Sequence, residues 1–383
     1  FVTGHKNTST LRWLLIATAI LVFALAFYLG QREHRVPLSI SSVHGMQIER
    51  VVSVDGIEAW LVEDHTIPVI SLSLLFRSGA ALDPAGKEGL ASMMAGLLEE
   101  GAGDLDSRAF QQRLADISVT LRFDASLDTF EGGLKTLTEN RGEAFSLLRI
   151  ALNAPRFDAE PVERIRNQIL AGLAAAESDP AQIADKVWFR TAFPDHPYGR
   201  PVEGTRSGIA AVTANDLHGF IERRFGRDHL IIGVAGDITA EELTPLLDST
   251  FGSLPARAAL FDLPEARVDG GGVIVVEEDI PQSTVRFGEN GIKRNDPDYF
   301  VARLLNYTLG GGGFSSRLTE EVREKRGLAY SVYSHLQTMA WGGLVRGAVG
   351  TDNASVAESL DIIRGEWKRM AEDGVSEDEL NDA

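Results

Sequence analysis

The stretch that decides the fold is Leu304–Leu336, LLNYTLGGGGFSSRLTEEVREKRGLAYSVYSHL. Gly310, Gly311, Gly312 and Gly313 are consecutive, and glycine reaches backbone conformations closed to other residues and lets a chain or ligand approach closely. Such a run is expected to lie outside any stable helix or strand. Beyond it Ser315 and Ser316 are placed to cap a helix, Glu320 and Glu321 fall near its first turn, and Phe314, Leu318 and Val322 share a four-residue spacing. Gly327 is positioned to end that helix. From Leu328 the period falls to two, with Leu328, Tyr330, Val332 and Leu336 on one face and Ala329, Ser331, Tyr333 and His335 on the other, which predicts a strand.

Arg317 lies in the first helical turn, where the macrodipole disfavours a cation by up to about 1 kcal/mol. An ion pair with Glu321, one turn on and worth roughly 0.3–0.5 kcal/mol, is the expected compensation. Tyr330 taken alone is an ordinary strand aromatic. The whole pattern, a glycine run, Ser-Ser-Arg-Leu and Val322–Val332 (VREKRGLAYSV), resembles the second-half signature of the pitrilysin/insulinase family of zinc peptidases. The resemblance implies that Arg317 and Tyr330 reach across a cleft to the substrate carbonyl, donating hydrogen bonds to the charge that develops there. It also implies that Gly310, Gly311, Gly312 and Gly313 bind the substrate peptide.

Outward from this stretch, composition sets the bounds. A chain of 383 residues has room for two or three domains. Its 37 Lys and Arg against 55 Asp and Glu give a net charge of −18, which argues against nucleic acid or an anionic membrane surface as the main partner. The absence of cysteine excludes a disulfide framework, a thiol nucleophile and a cysteine metal cluster. The first residue is Phe1 and the last ones, SEDELNDA, read as the middle of a helix, so the chain is expected to be part of a longer protein with an incomplete second half.

Residues 13–30, WLLIATAILVFALAFYLG, form an uncharged apolar run between Lys6 and Arg12 on one side and QREHR on the other. The run just reaches spanning length, so a transmembrane anchor is expected after an N-terminal flank at 1–12; a signal peptide cleaved near Ala24-Leu25-Ala26 is the rival. The expected location is the inner membrane, facing the periplasm, or the periplasm itself after cleavage. A linker at 31–46 leads to a first domain at 47–255 and a second at 256–383.

In the first domain Val51–Val62 and Val69–Phe76 read as strands around an Asp55-Gly56 turn, and Leu90–Glu100 as a helix. By the resemblance, that helix is where active relatives carry H-x-x-E-H, two zinc ligands and a water-activating Glu. Here Ser92 and Gly96 stand at the histidine positions and Ala95 at the glutamate, while the third ligand position falls near Ala171 or Gly172. The eight histidines offer no pair three or four residues apart, and Glu99 and Glu100 read as a solvated acidic helix end. His196, in TAFPDHPYGRPVEGT, is expected to be structural. The order around Ser107 echoes that around Ser316, hinting at two related halves.

The resemblance, from about Met46 to Ala383, implies an α+β fold of two homologous halves, each a mainly antiparallel sheet packed against helices. It also implies a chain without metal or cofactor of its own, paired as a heterodimer with an H-x-x-E-H-bearing paralogue that holds the zinc. The chain is then expected to be inactive alone, a non-zinc subunit binding a peptide substrate. A catalytically silent binding or scaffold protein is the alternative. A hydrolase with a different site is disfavoured, because no G-x-S-x-G elbow, Walker sequence or cysteine nucleophile is present.

Overall fold

The computed structural model describes residues 47–259 and 261–383. The apolar run at 13–30 lies outside the described residues. In chain order the elements are β1 (Glu49–Val52), β2 (Glu58–Glu63), β3 (Val69–Phe76), α1 (Leu90–Leu97), β4 (Gly101–Ala102), β5 (Leu105–Asp106), α2 (Ser107–Asp116), β6 (Thr120–Ala125), β7 (Phe130–Leu137), α3 (Arg141–Asn153) and α4 (Ala159–Ala176). There follow α5 (Pro180–Ala192), α6 (Arg206–Ala211), α7 (Ala214–Arg224), β8 (Leu230–Gly236), α8 (Ala240–Phe251), β9 (Gln282–Asn290), α9 (Tyr299–Asn306), β10 (Ala329–Met339), β11 (Gly342–Asp352), α10 (Val356–Asp373) and α11 (Glu377–Asp382). Among the described residues the contacts group into two units: one holds 47–170 together with 202–261, the other Ala171–Pro201 together with Asp262–Ala383.

The first unit is built on a six-stranded sheet in the order β1-β2-β8-β3-β7-β6. The sheet is mixed, because β8 runs parallel to β2 while the other pairings are antiparallel. Alternation in the sequence fixes which face is buried: Ile70, Leu72 and Leu74 of β3 point inward, as do Phe130 and Leu134 of β7. Helix starts are set locally. Thr213 with Asp216 and Thr239 with Glu242 form capping boxes at α7 and α8.

Under the sheet Phe76 stacks on Phe225 at 4.4 Å, and Phe130 and Phe220 pack edge-on beside them, contacts worth about 0.5–1.5 kcal/mol each beyond their burial. Beside this cluster sits a buried ion pair. Arg224 Nη1 donates to Asp83 Oδ1 at 3.1 Å and Nη2 to the Leu82 carbonyl at 2.7 Å, while Asp83 Oδ2 accepts from the backbone N–H groups of Gly89 and Ala91 at the start of α1. Burial pushes the Asp83 carboxyl up, against the pull of Arg224, so the pair is needed to keep either charge inside.

The second unit has a three-stranded antiparallel sheet, β10-β11-β9. Its core joins Leu309, Leu318, Val322, Val332 and Val349 with Ile363 of α10. Asp185 of α5 ties that helix to the sheet through Arg286 of β9, at 2.9 Å, and Arg346 of β11. Replacing Asp83 by Ala is expected to cost roughly 3–5 kcal/mol, because Arg224 is then buried without a counter-charge. Urea unfolding measures this, and a midpoint within error of the wild type would contradict it.

Candidate functional site

The helix expected to carry the zinc chemistry forms, as α1, with Met93, Met94, Ala95 and Leu97 buried. At the second histidine position Gly96 faces Ile165 of α4: a Cβ built on Gly96 would stand 3.0 Å from Ile165 Cγ2, so even a methyl group there needs Ile165 to give. Ser92 offers one hydroxyl and Ala95 nothing. Ala171 and Gly172, the two candidates for the third position, are both exposed, and Gly172 has open space where a side chain would be. The residues present do not fit a zinc ion, and among the described residues no group of three or more His, Asp and Glu side chains is placed to hold a metal.

Glu99 and Glu100 are not a solvated helix end. The Arg164 guanidinium donates to Glu100 at 3.1 and 2.6 Å and Ser107 Oγ donates to it as well; although burial pushes this carboxyl up, those bonds hold it below the usual range. Glu99 Oε1 accepts the Phe123 N–H at 3.2 Å, and burial raises its carboxyl. Both carboxylates therefore fasten α1 to its neighbours. His196 is likewise structural: Nδ1 accepts the Tyr198 N–H at 3.1 Å, which leaves Nε2 to donate to the Pro264 carbonyl at 3.0 Å.

The glycine run departs from expectation. α9 passes without a break into a π-helical turn, Tyr307–Gly311, so Gly310 and Gly311 lie inside a helix. The reason is close packing: a Cβ at Gly310 would fall 2.5 Å from Ser334 Oγ and 2.6 Å from the Ser334 amide on β10. Gly313 alone needs glycine's freedom, at φ 63°. Ser316 does not cap the next turn with its side chain; its hydroxyl turns back to the Gly313 carbonyl at 2.8 Å. Leu318 and Val322 are buried as their spacing implied, whereas Phe314 is exposed.

Arg317 is buried at 7% exposure and is paired with Glu379 of α11, not with Glu321. Its Nε and Nη2 donate to the two carboxylate oxygens at 2.5 and 2.7 Å, and Nη2 also reaches the Gly374 carbonyl at 2.7 Å. Glu321 is taken by Lys325 and Arg326 instead. The Arg317 guanidinium, with further bonds from Ser376, holds the Glu379 carboxyl down to about 2.

Tyr330 is 85% exposed. A register shift between Ala329 and Ser331 turns it away from Val332, which is buried, so the two do not share a face as strict alternation implied. The cation standing with Tyr330 is Arg323: its guanidinium lies 5.6 Å from the Tyr330 ring centroid and 4.9 Å from that of Phe314. Its side chain remains about one third exposed, with only a 3.5 Å approach to Glu324. Sequence reading missed Arg323, since a charged residue between Glu320 and Lys325 looks like any solvated helix face; its position seven residues before Tyr330 was the available signal.

As Glu379 is held near 2 against an ordinary 4.5, the stability that its pair with Arg317 gives is present above about pH 4.5 and is lost as the pH falls toward 2. Glu379→Gln should flatten that part of an acid-unfolding curve, and an unchanged curve contradicts the pairing. Restoring histidines with Ser92→His/Gly96→His should create no zinc site and should destabilise by about 1–3 kcal/mol through overpacking on Ile165, checked by zinc titration and thermal unfolding.

Residues 59–206 match the family described as Insulinase (Peptidase family M16), and residues 211–383 match its companion described as Peptidase M16 inactive domain. A Helicobacter pylori protein named "Non-peptidase homolog YmxG" is 29% identical over 322 residues, which are 84% of this chain and 74% of that protein. A Mycobacterium leprae protein named "Uncharacterized zinc protease ML0855" is 32% identical over 234 residues, 60% of this chain, which spans about half, 52%, of that relative. The crystal structure of a peptidase M16 inactive domain from Pseudomonas fluorescens superposes with a TM-score of 0.84 at 27% identity, covering 88% of this chain and 82% of that one. With both its parts matched, the chain belongs to peptidase family M16.

Proposed function

We propose that this chain is a catalytically silent M16 subunit that presents a peptide-binding surface to a zinc-bearing partner. The observation that carries the reading is the contrast between its two sites. At α1 the ligand positions hold Ser92, Ala95 and Gly96, and Ile165 occupies the room a second histidine needs. On the second unit the exposed Tyr330 hydroxyl, the Arg323 guanidinium and the Phe314 ring stand together beside the glycine run. Relatives carry both names, non-peptidase homologue and zinc protease, and the residues of α1 place this chain with the former.

A guanidinium and a phenol are two hydrogen-bond donors suited to the carbonyls of an extended peptide. The division of roles differs from the one the resemblance implies: Arg323 takes the donor's place beside Tyr330, and Arg317 anchors the turn that displays them by binding Glu379 and the Gly374 carbonyl. Gly310 keeps the backbone of that turn close to β10 at Ser334, and Gly311 to Gly313 leave the rest of it free of side chains. The partner would be an H-x-x-E-H-bearing paralogue holding the zinc, and residues 13–30 would fix the pair to the inner membrane on the periplasmic side.

Peptide binding tests this reading. Arg323→Ala and Tyr330→Phe should each weaken peptide binding to the assembled pair, and slow its peptide hydrolysis, by about 1–3 kcal/mol, with no change in thermal stability of this chain. Arg317→Ala should lower stability first. If both Arg323→Ala and Tyr330→Phe bind and turn over peptide as the wild type does, the surface is not the peptide site. If the pair is no more active than the partner alone, the chain is a scaffold.

A further inference from the structure

The segment 319–326, TEEVREKR, carries three basic side chains, and only one of them lacks a close carboxylate. Lys325 Nζ lies 2.7 Å from Glu321 and 3.1 Å from Glu320, and Arg326 Nη1 lies 2.6 Å from Glu321. Arg323 is different. Its Nε stands 3.5 Å from Glu324 Oε1, beyond a good hydrogen bond, and among the described residues its guanidinium donates to no acceptor.

What surrounds Arg323 is aromatic. The guanidinium lies over the Phe314 ring at 4.9 Å and the Tyr330 ring at 5.6 Å, and these two residues are 73 and 85% exposed. A guanidinium packed on aromatic faces is held through its flat carbon plane and keeps its N–H edges for a partner, and those edges match the two oxygens of a carboxylate. The Tyr330 hydroxyl, also without a partner among the described residues, adds one more donor.

We propose that this cluster binds the C-terminal carboxylate of a peptide, with Arg323 and the Tyr330 hydroxyl on its oxygens and the Phe314 and Tyr330 rings covering an apolar last side chain. The assignment rests on the surface being a peptide site and narrows that site to the peptide's free end. A carbonyl is neutral and recurs at every residue, whereas the terminal carboxylate occurs once and supplies the charge that Arg323 lacks. Hydrogen bonds between ionised partners are about twice as strong as neutral ones, so the end outcompetes the carbonyls further in. The chain's net charge of −18 opposes an anion at long range, but at physiological salt that field is screened beyond about 8 Å. Within that distance Glu320 and Glu321 are already paired.

Fluorescence anisotropy of a peptide labelled at its N-terminus, Gly-Ala-Gly-Ala-Leu, titrated with the purified chain, tests this in three forms: the free acid, the C-terminal amide, and the amide with Glu in place of the central glycine. The free acid is expected to bind about tenfold or more tighter than the amide, and the peptide with the internal Glu close to the amide. High salt should shrink the difference. Arg323→Ala should bring the acid down to the amide, while Arg323→Lys, which keeps the charge and loses the fork, should retain part of the preference; circular dichroism verifies the fold of both. Equal binding of acid and amide overturns the assignment and leaves the peptide surface standing, as does a preference that survives Arg323→Ala. Binding of the internal-Glu peptide as tight as that of the free acid overturns it in favour of side-chain carboxylates. No binding of any form overturns the peptide surface itself, and this assignment with it.

Discussion

The contact of Ile165 with Gly96 is the constraint on which the silence of the zinc helix depends. In an active zinc helix a histidine projects from that position, and space must be kept for it. Here α4 has closed on α1 and fills the space with an aliphatic side chain. Arg164, the neighbour of Ile165, then binds Glu100 at the end of α1, so the two helices are joined by packing and by charge in one turn. Glu100 is used for this fastening and Glu99 accepts the Phe123 N–H of β6, so neither carboxylate is left over for a metal.

The second unit shows a similar separation between residues that hold and residues that present. Arg317 and Arg323 lie six residues apart in one helical segment, yet their surroundings differ. Arg317 is buried, doubly bonded to one carboxylate, and held by the Gly374 carbonyl as well. Arg323 lies across two exposed aromatic rings with no strong anionic partner. A ligand carbonyl or carboxylate would have to displace Glu379 from the first; at the second it meets only the weak approach of Glu324.

Much of this was legible in the sequence. Strand β3 falls at Val69–Phe76, as the apolar run there implied, and the Asp55-Gly56 turn separates β1 from β2 with Gly56 at φ 78°. The burial of Leu318 and Val322 follows from spacing alone, and the vacant zinc positions can be read from Ser92, Ala95 and Gly96. What was not legible depends on residues distant in sequence. Glu379 lies 62 positions from Arg317, and no local rule prefers it to Glu321. The register shift at Ala329 to Ser331 leaves no mark in composition, so Tyr330 was placed on the wrong face. Gly310 inside a helix is explained only once Ser334 of β10 is seen against it.

Ile165 against Gly96 leaves α1 no room for a second histidine and so for a zinc site of the family's kind. The most direct measurement is zinc stoichiometry by native mass spectrometry, with peptide hydrolysis assayed on the same sample, for the purified chain saturated with zinc. No specifically bound zinc and no hydrolysis are expected. One tightly bound zinc per chain, with hydrolysis abolished by a chelator and restored by the metal, would contradict it.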